Sequence, residues 1–431
     1  MKKENLYYDV YPRIVRTFET IQVTVRPRFA HCSFQDGESY RTCLIPMDGL
    51  ENAMQITPDP YQYIQPHHGD LVIPCIFHNE QEYLLAIRDA SDEPVVEFRL
   101  YALERDLFVR WPFKGDTHMH SYHSDGKESP AYVAAACRKI GMDFITITDH
   151  HRYAPSLEAM RAFADAPIDL HIYPGEEVHP PQNQVHIVNF GGGFSINDLF
   201  ESETYRSEVS ELAASMTDLP AEIDRYPYAS CVWVFNKIRQ AGGLGIFCHP
   251  YWISNKRYDV PLALTDLIFE RQPYDALELI GGYHLHEAES NILQVARYHE
   301  LRSQGKRIPI VGASDSHGCE TGSLFGWYYT IVFSPSLELS DLIESIKDGY
   351  SVAVESLPNE LVRAFGPFRM VQYAQFLLRE ILPSHDTLCM EEGDWMLAFS
   401  AGDPQASALL SGNQGRSARL YEHIWSQPTK G

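Results

Sequence analysis

The chain has 431 residues, of which 44% are hydrophobic, 22% charged and 12% aromatic, and its formal net charge is −23. This length is too great for one ordinary core and predicts two or three domains, one of which can be a barrel of about 250 residues. No apolar run approaches the roughly 20 residues that span a bilayer, and the strong negative charge argues against nucleic acid as a bulk partner.

The N-terminus and the cysteines predict a cytoplasmic protein without a membrane partner. Residues 1–9 carry charge but are not followed by an apolar segment, so no secretion signal is expected. The eight cysteines are scattered from Cys32 to Cys389 and include no C-x-x-C pair. This pattern indicates buried, reduced thiols.

Residues 1–110 are predicted to form an antiparallel β-sandwich. Short runs in which apolar residues alternate, such as Thr20–Arg26, Tyr83–Ile87 and Val95–Leu100, are separated by turn residues such as those of Asp36-Gly37. A period of two is typical of strands with one buried face, and many short strands indicate a sandwich. The region has no dense cluster of ligand residues, so we expect it to be a structural or substrate-shielding appendage.

From residue 111 the pattern changes to strands that alternate with helices. Pro130–Ile140 is predicted as a helix, because Ser129 can cap its start and Gly141 can end it. Further strands are predicted at Phe144–Thr148, Leu170–Tyr173, Val185–Phe190, Leu244–Cys248, Ala276–Ile280 and Ile308–Val311, and further helices at Ala229–Gln240, Ala288–Gln304 and Leu339–Lys347. The alternation over residues 111–350 predicts an α/β fold of mostly parallel strands, with functional residues at the carboxyl ends of the strands.

Two segments depart from this alternation. Residues 194–228 are rich in Ser, Glu and Asp and are predicted as an insertion, either a lid over one face or a plain surface excursion. Residues 351–431 are predicted as a C-terminal helical extension, with a helix over Phe368–Ile381 and a Gly/Ser-rich stretch over Ala401–Ser417. The extension shows no recognisable chemistry.

Six short fragments carry histidines or carboxylates, and most of them follow a predicted strand. They are Asp116–His120, Ser124–Gly126, Thr148–His151, Gly175–Glu177 with His186, His249-Pro250, and Ser314–His317. A single His-x-His pair is a weak signal, but six such fragments within about 200 residues predict a shared metal centre. Imidazole together with carboxylate suits zinc, manganese or iron.

The spacing of the residues supports a common site. His118 and His120 lie two residues apart, so on an extended chain both side chains point to one side, and Asp315 and His317 repeat this spacing. Asp125 lies in a Ser-Asp-Gly turn, where the following glycine permits tight backbone geometry. Asp116 is a candidate hydrogen-bond partner for a ligand imidazole.

The remaining fragments supply one candidate ligand each. His150 ends an apolar strand, and of the adjacent Glu176 and Glu177 we select Glu177 as the inward carboxylate, because it can bridge two metals. His186 begins the next strand and His249 follows another. His284 and His286 form a second pair with a spacing of two, which we read as a surface loop or as part of a substrate loop.

These fragments resemble those of the PHP (polymerase and histidinol phosphatase) superfamily of metal-dependent phosphoesterases, over roughly residues 111–350. The resemblance implies a distorted seven-stranded β/α barrel that holds two or three divalent ions, zinc, manganese or iron. It implies one metal at His118, His120, Glu177 and Asp315, a second at Glu177, His186 and His249, and a third at Asp125, His150 and His317. Many members carry histidine where this chain has Asp125, which implies a weaker or different third metal.

The resemblance also implies hydrolysis of a phosphate ester of a small metabolite or nucleotide. A water that bridges two cations ionises near neutral pH and can attack phosphorus, while the cations neutralise the phosphoryl oxygens. Glu177 and Asp315 are the candidate catalytic carboxylates, and His123, His151 or water could protonate the leaving group. The candidate anion clamps are Arg152, Lys256 and Arg257.

Two alternatives stay open at this point. An amidohydrolase-like barrel would cleave a non-phosphate bond with the same metals, although no strand ends on a lysine suited to carbamylation. A binding or scaffold protein with a relict metal centre would use the β-rich N-terminal domain as its working part, although the complete set of ligands argues against this.

Overall fold

A computed structural model of the chain describes residues 3–48, 61–220, 223–320 and 324–426. The chain divides into two compact units. The first contains the described parts of Met1–Trp111, Val371–Leu388 and Gly415–Gly431, and the second contains those of Pro112–Met370 and Cys389–Gln414. Within these described ranges, no helix combines the length and the apolar character that a bilayer crossing requires.

The first unit contains two β-sheets. The three-stranded sheet has the order β1 (Tyr8–Tyr11), β3 (Thr20–Pro27), β6 (Leu71–Ile76). The five-stranded sheet has the order β2 (Ile14–Arg16), β8 (Pro94–Leu103), β7 (Gln81–Arg88), β4 (Tyr40–Pro46), β5 (Gln62–Ile64). Helices α1 (Lys3–Tyr7) and α2 (Arg105–Phe108) flank the strands.

The two sheets share one hydrophobic core, to which Val23, Leu85 and Phe98 contribute. In β6 the alternate residues Leu71, Ile73 and Cys75 are buried, as the period of two predicts. The pairing is not wholly antiparallel, because β2 runs parallel to β8. An antiparallel sandwich therefore stays a prediction for this unit.

The second unit is an α/β fold with two mixed sheets. One sheet has the order β11 (His171–Tyr173), β10 (Phe144–Thr146), β9 (Trp111–Asp116), β19 (Tyr328–Ser334), β20 (Ser351–Glu355), β21 (Arg363–Phe365). The other has the order β12 (Gly175–Val178), β13 (Ile187–Phe190), β14 (Leu244–Phe247), β17 (Ala276–Gly281), β18 (Ile310–Ala313). A short hairpin is formed by β15 (Ile253–Ser254) and β16 (Arg257–Tyr258).

The strand directions are more mixed than the sequence predicts. The pairs β9–β10, β10–β11, β14–β17 and β17–β18 are parallel. The pairs β12–β13, β13–β14, β19–β20 and β20–β21 are antiparallel. Phe144 and Val332 from one sheet and Val188 and Ile246 from the other belong to one hydrophobic cluster, so the two sheets pack together. A single seven-stranded barrel stays a prediction.

The helices of the second unit are α3 (Pro130–Lys139), α4 (Ala154–Ala162), α5 (Glu203–Ser215), α6 (Arg225–Gln240), α7 (Leu262–Arg271), α8 (Ala288–Ser303), α9 (Leu339–Lys347) and α12 (Ala406–Asn413). Single 3₁₀ turns lie at Ala30–Cys32, Asn197–Glu201 and Leu285–Glu287. Ser129 caps α3 as predicted, since its Oγ accepts a hydrogen bond from the Tyr132 backbone N–H at 3.3 Å.

The segment predicted as an insertion, 194–228, contains a packed helix. Helix α5 buries Tyr205, Val209 and Ala213, which recur every four residues along one face. The ring of Tyr205 lies 4.9 Å from that of Trp233 on α6. The abundant Ser and Glu residues occupy the exposed side, which explains why the sequence reads as a surface excursion.

The predicted C-terminal extension, 351–431, is divided between the two units. Strands β20 and β21 belong to a sheet of the second unit, whereas much of α10 (Phe368–Glu380) belongs to the first. There the buried guanidinium of Arg13 reaches Glu380 at 2.9 Å, because a buried charge needs a partner. Helices α11 (Leu382–Ser400) and α13 (Arg416–Ile424) complete the segment.

Candidate metal centre

The His118-Met119-His120 segment follows β9, which ends at Asp116. Met119 pairs with Ser316 in a parallel bridge, which keeps this segment extended beside the 314–317 segment. The two imidazoles are buried on the same side, with ring centroids 5.3 Å apart. Strand pairing thus delivers two donors from one short segment.

Glu177 lies inside a strand and not after one, in contrast to the prediction. Pro174 separates β11 from β12, and β12 carries both Glu176 and Glu177. The two side chains point to opposite faces, because successive residues of a strand alternate. Glu176 accepts hydrogen bonds from Ser195 Oγ at 2.9 Å and Asn197 Nδ2 at 2.8 Å, so only Glu177 faces the histidines.

Four of the predicted ligands of the first metal lie around one point. His120 Nε2 is 2.8 Å from Asp315 Oδ1 and 3.5 Å from Glu177 Oε2. His118 Nε2 is 3.3 Å from Asp315 Oδ1 and 3.4 Å from Glu177 Oε2. One donor atom from each of these four residues lies within 4.8 Å of all the others, a span that one cation can fill.

The other oxygen of Glu177 faces the two histidines predicted for the second metal. His186 Nδ1 lies 2.8 Å and His249 Nε2 lies 3.4 Å from Glu177 Oε1. His249 and Asp315 both have a positive φ, of 23° and 53°. Such backbone is costly for residues other than glycine and is concentrated at functional sites.

The three residues predicted for the third metal form an adjoining group. His150 Nε2 lies 3.4 Å and His317 Nε2 lies 3.3 Å from the carboxylate of Asp125. His120 also contributes a donor atom to this group. This group is more exposed than the other two, since the side chain of Asp125 is 56% exposed.

The donor atoms fit a cation better than they fit each other. His118 Nε2, both carboxylate oxygens of Glu177 and His186 Nδ1 are buried, and none of them makes a hydrogen bond of acceptable geometry with a described residue, although His186 Nδ1 lies 2.8 Å from Glu177 Oε1. A buried polar atom without a partner costs about 1–3 kcal/mol. Four such atoms facing one another are explained if a divalent ion, attracted to imidazole and carboxylate, takes the place of the missing partners.

Burial and neighbouring charges shift the pKa values of the donors in both directions. Burial lowers the pKa of His186 to about 4, so this ring is neutral and offers a lone pair. Burial alone would raise the pKa of Glu177, but the facing imidazoles of His186 and His118 hold it well below its usual value. Burial would likewise lower the pKa of His150, but its contact with Glu177 raises it to about 9, so cation binding there would release a proton.

Two supporting residues, Glu278 and His179, were not found from the sequence. Glu278 Oε2 lies 2.9 Å from His118 Nδ1, and Glu278 Oε1 accepts from the His249 backbone N–H at 3.3 Å. His179 Nε2 lies 3.0 Å from His150 Nδ1. Glu278 had a detectable signal, since it is the one charged residue in the apolar strand Ala276–Gly281. His179 had none.

Asp149 holds the loop that carries Asp125. Its carboxylate accepts hydrogen bonds from the backbone N–H groups of Ser121 and Ser124, each at 3.0 Å, and from both hydroxyls, at 2.7 and 2.6 Å. The predicted partner role of Asp116 takes a different form, because it accepts from the backbone N–H groups of His118 and Ser314.

A cavity of about 200 Å³ opens over the cluster. Its lining includes six of the predicted ligands, and the other lining residues are Trp252, Gly282, His284, Glu287 and Leu324. The sequence left open whether His284 and His286 belong to a surface loop or to a substrate loop. The structure places His284 at the site.

Five residues predicted for catalysis or anion binding do not line this cavity. His123 Nε2 pairs with Glu158 on α4 at 2.7 Å, because the 121–126 loop turns it outward. His151 has a positive φ, and its ring lies 4.4 Å from that of His179. The three basic residues are solvent-exposed, two of them at the turn of the β15–β16 hairpin: Arg152, Lys256 and Arg257.

Comparison with known proteins gives local or distant similarity. No family model matches the chain. A DNA polymerase/3'-5' exonuclease PolX from Bacillus subtilis is 42% identical over 57 residues, which are 13% of this chain and 10% of that protein. The chain thus spans about a tenth of the curated relative that it matches.

Two solved structures show limited similarity to this chain. A two-domain protein from Bacteroides vulgatus, with a predicted PHP-like metal-dependent phosphoesterase, is 16% identical at a TM-score of 0.39, over 57% of this chain and 65% of that one. An amidohydrolase from Chromobacterium violaceum, with bound sulfate and no metal, is 19% identical at a TM-score of 0.31, over 47% and 87%. Similarity of this extent does not establish an activity.

Proposed function

We propose that this chain, whose ligand fragments resemble those of PHP proteins, is a metal-dependent hydrolase that cleaves a phosphate ester of a small metabolite or nucleotide. The observation that carries the proposal is the convergence of nine imidazole and carboxylate side chains, Glu177 among them, with buried donor atoms that lack hydrogen bonds. Divalent ions bound here would supply an ionised water and neutralise the phosphoryl oxygens.

The protein's own residues have distinct tasks in this reaction. Glu177, at the centre of the cluster, faces His118 and His120 with one oxygen and His186 and His249 with the other, so it would hold cations together with both pairs of histidines. Glu278 orients His118 through Nδ1 and leaves Nε2 to the cluster.

The leaving oxygen needs a proton once its bond to phosphorus breaks. Among the histidines that line the cavity, His284 is the one that is not a predicted ligand. It therefore replaces His123 and His151 as the candidate donor, with water as the alternative. Since no lysine or arginine lies among the described lining residues, the metals would hold the phosphate without a basic clamp.

The amidohydrolase-like alternative has less support. A bridging carbamylated lysine would need a lysine at the cluster, but the bridging position is taken by Glu177. Lys114, a buried lysine of β9, makes its contacts with other residues: its Nζ lies 5.0 Å from the centre of the Tyr329 ring and donates to the Ile140 carbonyl. Inorganic phosphate separates the two activities, because it should compete strongly with an anionic ester and weakly with an amide.

The decisive experiment combines metal analysis with a panel of phosphate esters. We expect the purified protein to contain two or three divalent ions per chain and to hydrolyse at least one small ester in the presence of manganese, iron or zinc. Glu177→Gln should lower kcat/KM at least 100-fold, because a neutral amide bridges two cations poorly. Glu344→Gln, an exposed change on α9, is the matched control.

Full metal occupancy without turnover of any ester would reject the proposed activity. Unchanged cellular function of Glu177→Gln would favour the scaffold alternative instead.

A further inference from the structure

The cavity over the cluster has a second wall that is chemically unlike the metal-donor side. This wall is formed by Trp252, Gly282, His284, Glu287 and Leu324. A substrate whose phosphate is held at the donor side must place its leaving group against these residues. The wall therefore contains information about the alcohol that is released.

Trp252 is the aromatic residue of this wall, and its position is fixed. Its backbone N–H donates to the His249 carbonyl at 3.1 Å, and its carbonyl accepts from the Asp259 N–H at 2.8 Å. The indole lies 5.8 Å from the ring of His186 and 6.3 Å from that of His249. It is nevertheless 36% exposed, so part of a large apolar ring is available beside the donors.

The wall carries acidic charge and no basic charge. Glu287 lines it, and its Oε2 accepts from the His284 backbone N–H at 3.3 Å. Asp125 and Asp315 lie on the donor side of the same cavity, and no lysine or arginine is among the described lining residues. An anionic leaving group placed against this wall would meet the carboxylate of Glu287 and no lysine or arginine among the described lining residues, whereas one with hydroxyl or amino donors would find an acceptor.

Gly282 keeps this space open. Its φ is +68°, and a Cβ at this position would lie 3.1 Å from the Cβ of His249 and 3.2 Å from Glu278 Oε1. A side chain here would crowd both a candidate ligand and the carboxylate that orients His118. Leu324, which is buried, gives the rest of the wall an apolar surface.

We propose that this wall selects phosphate esters whose leaving group is uncharged and contains a planar aromatic ring, as in an aryl-alkyl alcohol or a nucleoside. Trp252 stacks on the aromatic ring of the leaving group. Glu287 accepts hydrogen bonds from hydroxyl or amino groups of the leaving group and repels any anionic group that the leaving group carries. This inference rests on the proposed function, because it assigns the released half of the ester to this surface.

The test compares two esters that differ mainly in planarity, benzyl phosphate and cyclohexylmethyl phosphate. Stacking on an aromatic side chain gives several-fold to more than 100-fold in affinity. We expect the metal-loaded protein to prefer the benzyl ester about tenfold in kcat/KM. Trp252→Leu should abolish the preference, Trp252→Phe should keep part of it, and Tyr63→Leu, an exposed change in the first unit, should preserve it.

Glu287 is tested with benzyl phosphate against 4-carboxybenzyl phosphate. We expect the wild-type protein to discriminate against the carboxylated ester about tenfold, and Glu287→Gln to reduce this discrimination several-fold because one repulsive charge is removed. Metal content measured on every variant shows that the cluster is intact. Equal discrimination in the wild-type protein and Glu287→Gln would remove Glu287 from the proposal.

Binding provides a readout that does not depend on turnover. Benzylphosphonate should bind the metal-loaded protein about tenfold more tightly than cyclohexylmethylphosphonate in calorimetry, and Trp252→Leu should equalise the two. Equal affinities in the wild-type protein, or an unchanged ratio in Trp252→Leu, would overturn the inference. Turnover of esters without aromatic preference would overturn it too but leave the proposed function standing, whereas binding preference without turnover would reject only the proposed function.

Discussion

Glu278 connects two candidate ligands through one buried carboxylate. It contacts Nδ1 of His118 with one oxygen and the backbone N–H of His249 with the other. A carboxylate behind a ligand imidazole fixes its tautomer and raises its basicity, and its loss typically costs 10–100-fold in metal affinity or activity.

We therefore expect Glu278→Leu to weaken metal binding about 10–100-fold, measured by equilibrium dialysis against zinc or manganese. Glu300→Leu on α8, whose wild-type side chain is 55% exposed, serves as the control with unchanged affinity. A folded Glu278→Leu protein with wild-type affinity would show that His118 needs no second partner.

At the scale of residues, the sequence predicts well which side chains can be metal ligands, but it predicts poorly in which direction a loop side chain points. The nine candidate ligands converge because most of the segments that carry them lie in or beside strands of the two sheets that pack together in the second unit. His123 and Arg152 share this neighbourhood in the chain, yet face outward, since loop conformation decides where a side chain points. Trp252 carries no signal in one sequence, because an aromatic residue near a histidine is more often part of a core.

The loop at residues 121–126 shows how an element positions a donor. The backbone N–H of Gly126 donates to the Ser121 carbonyl at 3.0 Å, and a Cβ on Gly126 would lie 2.5 Å from the carbonyl oxygen of His120. This oxygen is part of the backbone and cannot move without displacing His120. The glycine thus permits the close approach of the chain that brings Asp125 back to the cluster.

Gly126→Ala should lower the free energy of unfolding by about 1–3 kcal/mol, as crowding of a packed site does. It should also lower the occupancy of the metal that Asp125 is predicted to bind, measured by elemental analysis at limiting metal. The matched change is Gly412→Ala on α12, where the added Cβ meets no atom within 4 Å and should stabilise the helix by up to about 1 kcal/mol. Equal stability and occupancy in the two variants would contradict this account of the loop.

At the scale of elements, prediction fails where a short break divides a run. The strand predicted at Leu170–Tyr173 is present as β11, but the strand that follows it, β12, was not predicted. Pro174, which lacks an N–H, separates the two strands and lets β12 turn to pair with β13. Helix α3 was predicted nearly to its ends, because capping is a local property. Helix α5 was missed because its buried face holds few residues among many polar ones.

At the scale of the whole molecule, all nine candidate metal ligands lie in the second unit. Metal removal is therefore expected to destabilise the second unit and not the first. Ions that bind the folded state alone stabilise it by RT ln(1 + [L]/Kd), about 2.7 kcal/mol at 100 times Kd. Removal with a chelator should therefore lower the melting temperature of the second unit by about 5–10 °C per ion lost, measured by calorimetry.

The transition of the first unit gives an internal control if the two units melt separately, since it contains none of the candidate ligands. Glu177→Gln should show a smaller chelator effect than the wild-type protein. A chelator effect of the same size in both would place the stabilising ion elsewhere.

A single sequence does not predict which residues come into contact when they are far apart in the chain. The change of pattern near residue 111 reflects composition and is visible, and it lies beside the division between the units at Trp111 and Pro112. The pairing of Arg13 with Glu380 joins residues 367 apart, and no local property of either residue indicates the other. The division of the C-terminal segment between the units could not be predicted for the same reason.

The donors of the centre come from segments that are remote in the chain; His120 and Asp315 alone are separated by 195 positions. A cation held by them could bind only after the intervening chain has folded, because the site is incomplete until then. Departure of the ion and fraying of any one of these segments would then be the same event. The rate of metal release would then report the rate of local unfolding in the second unit. A long lifetime of the bound ion would mean that this unit opens rarely.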